Sequence, residues 1–220
     1  MTSEIVPFHT SRPEQKITQR AYLAALLLAM LAMVPAQVFR LYQDEAFPWL
    51  MADYAGRLFV LALLLALPAG RIVLLKEEKL QAPLVAALFW IVGIVAFFTL
   101  TDFFSWMAYW LPMGRLGDYP RPEGFLYLFD LTFGLALVAF HEEIVSRRLA
   151  ALALKPFCRS ERMLIVVSAA LFAVFHWWTG LGNMISCFIF GVVAMACYRR
   201  LGALWPIGIA HYALDAILFA

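Results

Sequence analysis

Phe140-His141-Glu142-Glu143-Ile144-Val145-Ser146-Arg147-Arg148 is the stretch on which the reading of this chain turns. It lies inside an apolar run from Leu126 to Leu154 whose one other charge is Asp130. On a water-soluble helix such a cluster is a solvated face. Here the flanks are apolar throughout, and a charge at membrane depth costs at least about 3 kcal/mol, so ionisable side chains kept there point to function. Residues four apart share a helical face, and Glu before Arg is the favourable order, so the spacing predicts an ion pair between Glu143 and Arg147. Glu142 projects about 100° away and is free to meet another helix. One glutamate is then structural and the other available for chemistry.

Composition supports the membrane setting. Of 220 residues, 64% are hydrophobic and 15% charged, with a mean hydropathy of +0.81. Soluble domains run nearer half apolar and a quarter charged. The net charge of +2 and the lack of any basic, aromatic-interleaved tract exclude nucleic acid as a partner. Cys158, Cys187 and Cys197 have no C-x-x-C spacing, which argues against a zinc ribbon and against a disulfide framework.

The expected fold is all-α, a polytopic membrane helix bundle of about seven transmembrane helices in one domain (residues 21–220) behind a polar lead (residues 1–20). The lead is too long for a cleavable signal peptide, and no small-residue cleavage pattern follows the first apolar run. The apolar runs are Ala21–Phe39, Leu58–Leu75, Pro83–Thr101, Leu126–Leu154, Met163–Trp178, Leu181–Tyr198 and Leu204–Ala220. With the N-terminus inside, the inner segments hold Arg12, Lys16, Arg20, Arg71, Lys76, Lys79, Arg148, Lys155, Arg159, Arg162, Arg199 and Arg200. The outer ones hold only Arg40, Arg57, Arg115 and Arg121. That bias predicts a cytoplasmic N-terminus, and the short chain with this topology suits a bacterial inner membrane. Residues 40–57 and 102–122 then read as outer loops, the second with Trp106, Tyr109, Trp110 and Tyr119 suited to the membrane–water boundary.

More polar groups recur deep in the later runs. Phe172 and His176 share one helical face, and His211 and Asp215 share another. Counted inward from the cytoplasmic ends, Glu142 lies about 18 Å deep, His176 about 21 Å, and His211 and Asp215 about 10 and 16 Å. Ionisable groups levelled in this way on separate helices predict a site.

Glu142-Glu143-x-x-x-Arg147, Phe172-x-x-x-His176 and His211-x-x-x-Asp215, in this order on apolar helices, resemble the motifs of the CPBP family, the CAAX proteases and bacteriocin-processing enzymes also called Abi. Leu201-Gly202-Ala203-Leu204-Trp205-Pro206 resembles the family's approach to its last motif, and the likeness covers roughly residues 125–216. The resemblance implies an intramembrane endopeptidase acting on a membrane-associated polypeptide: a peptide leader, a C-terminal sorting anchor or a prenylated CAAX-type tail. By position, Glu142 is the general base that activates water and His176 helps to hold that water. His211 and Asp215 stabilise the oxyanion, and Glu143 with Arg147 is the structural pair. Phe172 and Arg148 are candidate substrate contacts.

Two departures stand out. Ser146 and Arg148 replace the family's usual aromatic residue and glycine around Arg147, which leaves Arg148 to snorkel or to bind an acidic group of the substrate. Asp215 replaces the usual Asn; it is a protonated donor, an orienting partner of His211 or a metal ligand. A metal-free glutamic mechanism is favoured because no H-E-x-x-H appears and each His is on a separate helix. The metalloprotease alternative would hold zinc with Glu142, His176, His211 and Asp215. Two other classes compete: a membrane immunity or scaffold protein with idle motifs, and a proton-coupled transporter.

Overall fold

The computed structural model describes residues 17–75 and 78–219; residues 1–16 of the polar lead, Lys76, Glu77 and Ala220 lie outside the described residues. Hydrocarbon offers no partner to backbone N–H and C=O groups, so each spanning segment must satisfy its own as helix. The helices are α1 (Gln19–Arg40), α2 (Ala46–Ala66), α3 (Pro68–Leu75), α4 (Leu84–Leu100), α5 (Phe103–Trp110), α6 (Gly124–Leu154), α7 (Glu161–Val174), α8 (Leu181–Leu201) and α9 (Trp205–Phe219). Among the described residues there is no strand, only a single antiparallel bridge between Arg115 and Thr179.

All seven apolar runs contain helix, but fewer are full-length spans. α1, α2, α6 and α8 are long and apolar enough to cross a membrane, and α4 with α5, bent by 40°, makes a fifth if taken as one span. α7 has 14 residues and α9 has 15, short of the ~20 that a bilayer core requires. Outward-facing Leu31, Phe59, Val85 and Phe89 are more than half exposed, which suits a lipid-facing surface.

The region expected as an outer loop at residues 40–57 is mostly helix. α2 begins at Ala46, and its buried face runs Trp49, Leu50, Asp53, Tyr54, Arg57, Val60 and Leu64, a helical spacing. Hydropathy misses this because Asp53 and Arg57 depress it, although the two side chains neutralise each other within the helix. The second apolar run also breaks. α2 ends at Ala66 and α3 starts at Pro68, where a missing N–H is harmless at a helix start. α3 then folds back so tightly that a Cβ at Gly70 would lie 2.2 Å from the Leu64 carbonyl oxygen.

Hydrogen bonds define the two ends of the bundle. At one end, residues 111–116 pair with residues 178–182: Leu116 N–H donates to the Trp178 carbonyl at 2.9 Å, and Leu181 N–H to Met113 at 2.8 Å. Tyr119 packs there against Trp49 and Phe219, with centroids 5.4 and 4.6 Å apart. At the other end, Gln19 donates to the Leu152 and Ala153 carbonyls, Gln81 N–H to Leu201, and Glu78 accepts from Arg148 and from the Leu204 N–H. α7 is capped at this second end by Ser160, whose hydroxyl accepts from Met163 N–H at 3.2 Å. α8 ends there at Gly202, which takes φ 71°, a conformation glycine adopts without steric cost.

Candidate active site

α6 is not a uniform helix. It widens into π turns at Asp130–Gly134 and again at Ile144–Leu149, directly after the glutamate pair. Such bulges recur at functional sites because they re-aim side chains and free a carbonyl. Here Ser168 on α7 donates to the Ser146 carbonyl at 2.6 Å and satisfies it.

Glu143 and Arg147 are both 0% exposed and make two contacts, Arg147 Nε to Oε2 at 2.8 Å and Nη2 to Oε1 at 3.1 Å. The Arg147 guanidinium also lies over the Phe172 ring, 4.6 Å from its centroid. Glu143 does more than neutralise an arginine: its Oε1 lies 2.9 Å from His211 Nδ1. An ionised carboxylate accepts only, so His211 donates from Nδ1 and turns Nε2 away from the pair. Nε2 then lies 3.9 Å from Glu142 Oε2 and 3.7 Å from Asp215 Oδ2.

His176 reaches the same place from a different kind of element. α7 stops at Val174, and His176 sits in the turn that follows, not on the helix itself. Its Nδ1 donates to the Phe172 carbonyl at 3.0 Å, so Nε2 faces Glu142 Oε2 at 3.9 Å. The turn ends at Gly180, with φ 95°, before α8. Two imidazoles, each fixed at Nδ1, thus converge through Nε2 on one oxygen of Glu142.

The other oxygen of Glu142 belongs to a network that sequence reasoning missed. Arg57 Nη1 lies 2.9 Å from Glu142 Oε1 and 3.1 Å from His141 Nδ1, while its Nε holds Asp53 Oδ2 at 2.8 Å. Asp53 also pairs with Arg40, whose guanidinium lies over both the Trp49 and the Trp178 rings. Arg40, Arg57 and Arg147 oppose Asp53, Glu142 and Glu143, a balance that offsets the desolvation of each. Replacing Arg57 with Met leaves Glu142 without its direct cation. The expected loss is about 3–5 kcal/mol of stability, seen as a lower melting temperature in detergent, and an unchanged melt would count against the network.

Glu142, His176, His211, Asp215, Arg57 and Asp53 line a cavity of about 750 Å³ that also takes in Phe172, Cys187 and Asn183. Tyr119, on the segment above it, donates to Asp130, which also accepts from Tyr54. Burial first, and then this hydrogen bond, push the Tyr119 hydroxyl pKa upward, so it stays a donor. Arg148 is not in the cavity lining. It is 8% exposed, pairs with Glu78 and donates to the Val73 carbonyl, so its charge is engaged away from the expected substrate site. Among the described residues no group of three or more His, Cys, Asp and Glu side chains is gathered as a metal site. Arg57 at Glu142 Oε1 would moreover repel a cation there.

The family model for type II CAAX prenyl endopeptidases, Rce1-like, matches residues 124–217. That segment is similar to the Rce1-like family. It runs from the first turn of α6 into α9 and carries all three motifs, so the family is the one they resemble. The match covers less than half of the chain, and the model it matches is described as one of CAAX prenyl endopeptidases. Helices α1–α5 lie outside the Rce1-like match, although α2 supplies Arg57 to Glu142. No curated protein and no solved structure matches the chain significantly.

Proposed function

We propose that this protein is a glutamic intramembrane endopeptidase that hydrolyses a membrane-associated polypeptide with a water activated by Glu142. The observation that carries this reading is the convergence of His176 Nε2 and His211 Nε2 on Glu142 Oε2, each at 3.9 Å. That spacing accommodates a water oxygen hydrogen-bonded to all three. Glu142 takes one of its protons, His176 accepts the other as a hydrogen bond, and the oxygen attacks the scissile carbonyl. His211, carrying a proton on Nε2, and Asp215 as a neutral carboxylic acid donate to the oxyanion. Glu142 then returns its proton to the leaving amine. Arg57 and Asp53 are positioning residues for Glu142.

The proposed setting is a bacterial inner membrane with a cytoplasmic N-terminus. Peptide leaders and C-terminal sorting anchors rank above prenylated tails as substrates. The test is a comparison of membrane-protein termini in cells carrying the native chain or Glu142→Gln at equal abundance. New termini confined to the native chain are expected; identical termini would leave an idle scaffold as the better reading.

His211 has its orienting carboxylate in Glu143, which frees Asp215 from that task. Asp215→Asn, whose amide also donates, is therefore expected to retain activity within about tenfold. A loss of more than a hundredfold with His211 still in place would overturn the donor role.

The mechanism uses no metal. Purified protein is expected to keep its activity after exhaustive chelation, with far less than one zinc per chain by elemental analysis. Activity that vanishes with the chelator and returns with zinc would reassign Glu142, His176, His211 and Asp215 as ligands.

A further inference from the structure

We infer that the substrate reaches Glu142 from the side of the membrane away from the cytoplasm, so that the polypeptide cut is one exposed on that face. The inference rests on the peptidase reading of Glu142 and adds to it the class of substrate.

The cavity lining reaches one end of the bundle and not the other. Its lining includes Leu111, Arg115, Tyr119 and Thr179, which belong to the end where residues 111–116 pair with residues 178–182. Toward the opposite end its lining extends to Leu26, Ala150 and Ser168, which form its floor. Among the described residues, none from 71–82, 154–163 or 199–206, the segments at the opposite end, contributes to the lining. That opposite end is also sealed by paired groups: Arg148 with Glu78, Glu78 with the Leu204 N–H, and Gln81 N–H with Leu201.

Charge distinguishes the two ends. The sealed end carries Lys79, Lys155, Arg159, Arg162, Arg199 and Arg200 against Glu161, which pairs with Arg199. The open end carries Arg115 and Arg121 against Asp44, Glu45, Asp118 and Glu123, with Arg115 already paired to Asp118. Arg40 and Arg57, which sequence alone assigns to an outer loop, are 6% exposed and neutralised by carboxylates inside the bundle, so they add nothing to the open face. Short segments rich in Lys and Arg stay in the cytoplasm. The sealed end is therefore cytoplasmic and the mouth is outside. A tail displayed only in the cytoplasm would meet the floor of the site. A secreted leader or a surface-protein anchor leaving the bilayer on the outer side would meet its mouth.

Cysteine accessibility tests this without needing a substrate. In a Cys158→Ser, Cys187→Ala background, Leu116→Cys marks the mouth, Asn183→Cys the cavity wall and Phe157→Cys the sealed end. Each is treated in intact cells with a membrane-impermeant maleimide, and again after detergent solubilisation as the full-labelling control. The expected result is labelling of Leu116→Cys and Asn183→Cys in intact cells, at least tenfold above Phe157→Cys, which reacts only in detergent. Labelling of Phe157→Cys with protection of Leu116→Cys would overturn the inference and bring the substrate from the cytoplasm. Labelling of Leu116→Cys without Asn183→Cys would overturn it too, because the cavity would not communicate with that face. Neither outcome bears on whether Glu142 is a base. That reading stands or falls on the termini comparison, so the two failures are distinguishable.

Discussion

Glu142→Gln is expected to reduce cleavage by at least 10²–10⁴-fold, the usual contribution of a positioned general base, while the melting temperature in detergent changes little. The amide is nearly isosteric and still accepts from Arg57 through its carbonyl oxygen, 2.9 Å away in the native chain. It has no basic oxygen with which to take a proton from water. The measurement pairs turnover of an identified substrate with a thermal melt of the same preparation. Residual activity above a tenth of native would remove Glu142 from the role of base. A collapse of the melt would show that the side chain holds the fold instead.

Glu143→Gln is expected to do the reverse first. Arg147 is fully buried, and Glu143 is the carboxylate it pairs with among the described residues. Removing one member of a buried pair strands the other at a cost of about 3–5 kcal/mol. Protein yield and melting temperature should both fall. Because Glu143 also holds His211 Nδ1 at 2.9 Å, the surviving protein should turn over more slowly as well. Glu143→Gln with native stability and slow turnover would mean that orienting His211 is its main task. Native behaviour in both measurements would reject both tasks.

Much of this site is legible in the sequence, and the reason is periodicity. Glu143-x-x-x-Arg147 declares its pairing because i and i+4 must meet on a helix, and counting residues inward levels Glu142 with His176, His211 and Asp215. Arg57 is the instructive miss. Asp53-x-x-x-Arg57 has the same spacing as the pair on α6, beside the apolar Trp49, Leu50 and Tyr54, and that signal suffices to find a second charged helix. Hydropathy hides it, since two charges in one window read as a loop whether or not they cancel. The join of Arg57 to Glu142, across 85 positions of chain, is a tertiary contact with no local mark. The same holds for His176. Its depth is read correctly by counting, but nothing in Phe172-x-x-x-His176 says that the helix ends at Val174 and that a turn carries the imidazole. Arg148 fails differently: its partner Glu78 arrives from a distant segment and uses a charge that looked free.

The two i, i+4 pairs also bear on how the chain enters a bilayer during synthesis. A lone Asp or Arg at the centre of an inserting helix costs about 2.5–3.5 kcal/mol on translocon scales. Asp53 with Arg57, and Glu143 with Arg147, let each helix carry its own counter-charge into lipid before any neighbour has arrived. α2 and α6 are separated by more than fifty residues of chain, so α2 must wait in the membrane while the intervening segments are made. Internal neutralisation makes that wait tolerable. Glu142 is different, because its cation is Arg57 on another helix, so the proposed catalytic centre becomes electrically complete only when α6 meets α2.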